Sequence, residues 1–197
     1  LAFFTGLAGL VYYWFAVRPA DPSWLGYSDD IGNMELARVL MSDSLREHGG
    51  PAFVTRRMMA PDGISVAYIS WMMERDWIGA YLWNWAPAFP WLWVYLGLSL
   101  LASYLVSGWI MTRMRIAPVV AWTLAALAAL FVLFNLSRHY KLYYHYEHTL
   151  QHWIYFSLFL DAWIAQRLWR ENRVSLHLEL WRAVCLLGML GTMGYYW

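Results

Sequence analysis

Two stretches of this chain carry the residue types that chemistry needs, at spacings that bring them together. The first is Asp29-Asp30. At the outer mouth of a helix bundle, a carboxylate can accept a proton from an attacking hydroxyl or hold a divalent cation. A helix cap is the competing reading, and the two are compatible, since one of the pair can cap while its neighbour points elsewhere. The second stretch is Arg138-His139-Tyr140-Lys141-Leu142-Tyr143-Tyr144-His145-Tyr146-Glu147-His148, followed by His152. His145, His148 and His152 lie three and then four residues apart, so on a helix they share one face. Imidazoles placed that way ligate a metal, relay a proton or act as a base. Arg138 and Lys141 can grip a phosphate, the arginine through its planar fork and the lysine as a point charge. The same stretch also reads as a polar, aromatic helix entry at headgroup level, its groups bonding to neighbours or lipid.

Two further charged positions stand out. Asp161 lies inside an apolar run, and an ionisable group at a bilayer centre costs about 2.5–3.5 kcal/mol on insertion scales. It falls less than two turns from Arg167, so structural pairing is the expectation. Glu74-Arg75-Asp76 reads as a salt-bridged, solvated face.

The elements that must position these groups are helices in a membrane. Hydrophobic residues make up 61% of the chain and charged residues only 14%, against about 25% charged in an ordinary soluble domain. Fifteen Trp and fourteen Tyr suit the aromatic belts at the boundary of lipid and water. A net charge of +1 argues against a nucleic-acid partner, which needs a clustered basic face. The single cysteine, Cys185, supports neither a disulfide framework nor a thiolate metal site.

A spanning helix needs about 20 mostly apolar residues. Leu1–Val17, Pro90–Met111, Ile116–Leu136 and Thr149–Trp169 meet or approach that, and Leu180–Trp197 is a fifth candidate. In the last, Gly188, Gly191 and Gly194 allow a neighbouring helix to come close. The fold class expected is therefore all-α integral membrane, with four or five transmembrane helices. Residues 18–89 form a long helical extramembrane or interfacial segment and 90–197 the transmembrane bundle of one membrane domain. Leu1–Val17 lacks the charged start and cleavage site of a signal peptide, and the chain reads as part of a longer polypeptide.

Arg113 and Arg115 lie between the second and third spans, and Arg167, Arg170, Arg173 and Arg182 flank the turn between the fourth and fifth. The positive-inside rule makes both connections cytoplasmic. Residues 18–89 and the histidine-rich connection then face outward, to the periplasm if the membrane is a bacterial inner membrane. Within the outer segment, Met34–Glu47 is expected as a helix with Leu36, Val39 and Leu40 on one face and Glu35, Arg38 and Ser42 off it. Gly49-Gly50-Pro51 ends it, Pro61-Asp62-Gly63 marks a turn, and Ile64–Trp85 reads as a second, interfacial helix.

One span, an outer segment of two helices with an early acidic pair, then a tight hairpin: this order resembles the start of a GT-C membrane glycosyltransferase. In that superfamily the first outer loop carries an Asp that helps activate or bind the acceptor, and the matching positions are Asp29 and Asp30 in Gly26-Tyr27-Ser28-Asp29-Asp30. Ala60-Pro61-Asp62-Gly63-Ile64-Ser65 resembles the turn that several members place before the second outer helix. Glu147, Arg138, Lys141 and His148 occupy the place where members carry groups for a metal or the donor's phosphate. The resemblance implies transfer of a sugar from a polyprenyl-phosphate carrier to an acceptor on the outer face, with a divalent metal required in some branches only. A second resemblance is to the vitamin K-dependent gamma-carboxylases, which bind a quinone and use a lysine base. The only lysine here, Lys141, lies in a connection. A third reading is a non-catalytic subunit that packs against other membrane subunits.

Overall fold

The computed structural model describes residues 1–17, 29–49, 54–55, 64–65, 73–134 and 152–192. They form seven helices and one short hairpin: α1 (Ala2–Val17), α2 (Asp29–His48), β1 (Val54–Thr55), β2 (Ile64–Ser65), α3 (Met73–Trp85), α4 (Trp91–Arg113), α5 (Pro118–Phe134), α6 (His152–Glu171) and α7 (Leu176–Thr192). The all-α class is thus established, with a two-residue antiparallel ladder that pairs Val54 with Ser65 and Thr55 with Ile64. That ladder corrects the expected helix over Ile64–Trp85. Thr55 and Ile64, paired in the ladder, are β-branched and favour extended chain, whereas Glu74 and Asp76 mark the acidic first turn of a helix that starts at Met73.

Contacts divide the chain into two compact units, and the boundary runs through the first turns of α4. The first unit contains α1, α5, α6, most of α4 and nearly all of α7. Its helices alternate in direction. Phe3 packs edge-on against Trp122, and Gly6 lies against Ala126, so α1 and α5 run parallel. Gly108 faces the Trp122 ring while Tyr104 reaches the level of Ala126, so α4 and α5 are antiparallel. Ser99 meets His152, Trp109 meets Trp163 and Met114 meets Gln166, which makes α4 and α6 parallel. Trp153 against Gly188 and Asp161 against Arg182 make α6 and α7 antiparallel.

The turns that allow this are specific. Arg115 ends α4 in the left-handed region at φ 64°. Its N–H donates to the Thr112 carbonyl and that of Ile116 to the Met111 carbonyl, the paired bonds of a Schellman cap. Met111 and Ile116 also share one apolar cluster, the contact that usually accompanies such a cap. Pro118 then opens α5 at the first helical position, where its missing N–H costs nothing. Asn172, at φ 49°, closes α6 in the same left-handed way.

The expected spans Pro90–Met111 and Ile116–Leu136 correspond to α4 and α5. Among the described residues one helix, α4, is long and apolar enough to cross a bilayer; Ala2–Tyr12 and Pro118–Ala129 are shorter apolar stretches. α6 carries Asp161, Arg167, Arg170 and Glu171, and α7 carries Glu179 and Arg182, which lowers the hydropathy of both. The outer surface of the unit is nonetheless apolar: Phe4, Val119, Leu127, Leu158, Leu180, Trp181 and Leu187 are all exposed.

The second unit is built on α2 packed against α3, with β1 lying against α2. Leu40, Met41, Leu45 and Ala80 make its apolar cluster, with Trp77 against it. The expected polarity of α2 does not hold. Arg38 and Ser42 are buried and Leu36 is exposed. Every residue from Leu40 to Leu45 is buried, so this turn is enclosed on all sides and has no solvent face to which its polar residues could be assigned.

Aromatic rings resting on glycines hold the first unit together, which gives a test with opposite signs at two positions. A Cβ at Gly108 would overlap the Trp122 ring, whereas one at Gly9 meets nothing within 4 Å. Gly→Ala in a helix gains about 0.8–1.0 kcal/mol of propensity, while overpacking costs about 1–3 kcal/mol. Thermal unfolding in detergent is expected to show Gly9→Ala stabilised and Gly108→Ala destabilised.

Candidate functional site

Asp29 and Asp30 are the first two residues of α2. The helix thus starts five residues before the expected Met34, and the pair lies in its first turn rather than ahead of it, where the unpaired N–H groups and dipole of a helix N-terminus favour negative charge. Arg138, Lys141, His145, Glu147 and His148 lie outside the described residues.

The orientation of α2 is fixed by a polar core in the second unit. Arg75 and Asp76 are almost completely buried, and the Arg75 Nε donates to Asp76 Oδ1 at 2.6 Å. The solvated face expected at Glu74-Arg75-Asp76 is therefore corrected: the salt bridge forms, but under cover. The start of α4 supplies the cover. The Trp91 indole N–H donates to the Arg75 carbonyl at 2.7 Å, and the Tyr95 hydroxyl donates to Glu74 Oε1. A Cβ at Gly79 would stand 2.6 Å from Trp91 Cδ1 and 3.1 Å from Arg38 Cδ, so only glycine admits this approach. From α2, Ser42 donates to Asn84 Oδ1 at 2.5 Å, and the Arg38 guanidinium lies over the Trp83 ring at 4.4 Å. Removing charges from water costs several kcal/mol each, which is recovered only where geometry and further hydrogen bonds are good. The Ser42–Asn84 bond and the Arg38–Trp83 contact tie α2 to α3.

In the first unit, a row of serines turns inward. Ser99, Ser103 and Ser107 recur every four residues along one face of α4, and all three are buried. Ser99 Oγ lies 2.7 Å from His152 Nδ1, and Ser103 donates to the Ser99 carbonyl at 2.7 Å. Trp153 and Phe156 flank the imidazole, with ring centroids 5.4 and 5.7 Å away. A serine bonded to a histidine is the pairing used to activate a hydroxyl or to hold an imidazole in one orientation. Here it anchors the histidine that ends the predicted His145, His148, His152 series. The spacing of the three serines was the only sequence signal for the partner.

Asp161 pairs with Arg182 at 3.1 Å rather than with Arg167, which lies 3.7 Å from Glu171. The expected structural pairing holds, but across the α6–α7 hairpin. Arg182 also approaches Glu179 at 3.8 Å. Among the described residues, no three His, Cys, Asp or Glu side chains converge as a metal site would require.

At the turn end of the first unit, Arg113, Arg115, Trp163, Gln166, Arg167, Arg170 and Glu171 line a cleft of 230 Å³. Gln166 Nε2 donates to the Met114 carbonyl at 3.0 Å and ties α6 to the α4–α5 turn. The two arginine-bearing connections, far apart in sequence, thus meet at one end of the unit. No protein-family model matches the chain, and neither a curated protein nor a solved structure matches it significantly.

The buried pair is directly testable. Asp76→Ala removes the carboxylate bonded to the buried Arg75 guanidinium, and loss of one member of a buried pair costs about 3–5 kcal/mol. Chemical unfolding in detergent, followed by tryptophan emission, is expected to show a loss of that size.

Proposed function

We propose that this chain is a membrane glycosyltransferase of GT-C type in which α1, α4, α5, α6 and α7 all cross the bilayer. It transfers a sugar from a polyprenyl-phosphate-linked donor to an acceptor on the outer face. The observation that carries the reading is the sorting of the first unit by ends. Its five helices alternate in direction as serial crossings must. All four cleft arginines collect at the end formed by the α4–α5 and α6–α7 turns, which the positive-inside rule makes cytoplasmic. At the opposite end of the unit α1 and α5 finish and α6 begins.

Other features support the crossing. Exposed leucine, valine, phenylalanine and tryptophan side chains cover much of the bundle, with Asp161 and Arg182 also partly exposed, while Ser99, Ser103, Ser107 and His152 are buried. Asp161 and Arg182, which would be costly alone in hydrocarbon, are paired. Trp169, exposed at the arginine end of α6, suits the headgroup boundary.

The chemical half of the proposal rests on Asp29-Asp30. This acidic pair opens the first helix after α1, on the side to which an acceptor has access, and α2 is tied to α3. In this role one carboxylate takes the proton of the acceptor hydroxyl as it attacks the sugar's anomeric carbon. The polyprenyl phosphate departs with the electrons of the cleaved bond. Precise placement of a base is worth about 10²–10⁴-fold in rate.

The assay is transfer from a panel of polyprenyl-phosphate hexoses by the purified full-length chain. At least one of Asp29→Asn and Asp30→Asn is expected to lose about 10²–10⁴-fold in turnover while eluting as a single folded species. Normal transfer by both variants contradicts the acidic-pair mechanism.

A further inference from the structure

The cleft at the turn end plays no part in the transfer reaction described above, and its composition calls for a ligand. Four guanidinium groups, from Arg113, Arg115, Arg167 and Arg170, face one carboxylate, Glu171. That carboxylate is 3.7 Å from Arg167. Among the described residues no acid pairs with Arg113, Arg115 or Arg170. Four like charges gathered in one concavity repel one another and attract an anion.

The backbone carries a second, independent sign. Arg115 occupies the left-handed cap position of α4 at φ 64°. Glycine takes that conformation without steric cost and is the usual residue there. A strained non-glycine residue whose side chain lines a cavity points to a use for that side chain. The neighbouring groups are set as walls. Arg113 lies over the Trp109 ring at 5.3 Å, Trp109 meets Trp163 edge-on at 5.8 Å, and Gln166 is committed to the Met114 carbonyl.

We propose that this cleft binds a phosphate ester, presented as the headgroup of an anionic phospholipid in the inner leaflet. All four cations are arginines, whose planar forks match phosphate oxygens two at a time. The volume of 230 Å³ admits several groups of water size, at about 30 Å³ each, enough for a phosphate with its glycerol. The placement in the leaflet rests on the bilayer crossing proposed above. The phosphate chemistry does not, and it is independent of glycosyl transfer.

The test uses the full-length chain in neutral-detergent micelles, with thermal stabilisation and lipid retention in native mass spectrometry as readouts. Phosphatidylglycerol, phosphatidylcholine and glycerol phosphate are titrated separately. The wild-type chain is expected to retain phosphatidylglycerol and to be stabilised by it, and not by phosphatidylcholine. Arg113→Gln and Arg170→Gln are each expected to weaken that binding about fivefold, the equivalent of ~1 kcal/mol per arginine near an anionic headgroup. Arg115→Gly separates ligand from fold: it relieves the strained cap, so the lipid-free protein melts at the same temperature or higher, yet it binds phosphatidylglycerol more weakly. Glycerol phosphate binding as tightly as the lipid would keep the phosphate site and overturn the lipid as its occupant. Equal effects of the two lipids, or unchanged binding by Arg115→Gly and Arg113→Gln together, would overturn the site itself. None of these readouts depends on sugar transfer.

Discussion

Aromatic side chains packed closely against glycines are the contacts on which the arrangement of the first unit depends. Tyr104 against Gly6, Trp122 against Gly108 and Trp153 against Gly188 set the spacing and register of the first unit. In the bilayer setting proposed above, apolar side chains already in lipid gain nothing from bringing two helices together, so close packing and interhelical hydrogen bonds would have to do it. The Tyr104 hydroxyl, donating to the Phe3 carbonyl at 2.7 Å, and Ser99 with His152 supply such bonds. Once the registers are set, the direction of each helix follows, and with it the end to which each turn belongs. The arginine cleft is a consequence of that register, since Arg113 and Arg167 meet only because α4 and α6 run parallel.

The second unit solves a different problem. Its core carries Arg38, Asp43, Arg75 and Asp76, all buried, beside a small apolar cluster. A core of this kind stabilises less per residue than a hydrocarbon one, because each charge is desolvated. What it provides is geometric specificity. Trp91 on Gly79 repeats the ring-on-glycine device of the other unit, here used to bring an indole N–H to the Arg75 carbonyl. The helix that begins with Asp29 and Asp30 is thereby tied to α3, which suits the placement of an attacking hydroxyl proposed above.

Much of the first unit was legible because long apolar runs bounded by arginine or proline leave few alternatives. Pro90–Met111 and Ile116–Leu136 anticipated α4 and α5, and the glycine at 188 does admit a neighbouring ring. What the sequence could not show was three-dimensional partnership. Ser99 and His152 are separated by more than fifty positions and lie on helices whose parallel register no local pattern encodes. The cleft was hidden for the same reason, although its arginines were visible as orienting charges. In the second unit the amphipathic template misplaced Arg38 and Ser42. A turn enclosed on all sides, as Leu40–Leu45 is, has no polar face, and a guanidinium over Trp83 or a hydroxyl on Asn84 is as well accommodated inside as out. Glu74-Arg75-Asp76 failed similarly, because its cover comes from Trp91 and Tyr95 on the following helix.

The central claim is that the arginine-bearing turns and the α2–α3 segment lie on opposite sides of a bilayer. It is tested most directly by single cysteines in a Cys185→Ser background, probed in intact cells with a membrane-impermeant maleimide. Glu47→Cys, at the exposed end of α2, is predicted to react at once, and Glu171→Cys, at the arginine end, only after the membrane is permeabilised. Reaction of Glu171→Cys in sealed cells, or recovery of the chain from the soluble fraction without detergent, would contradict the account.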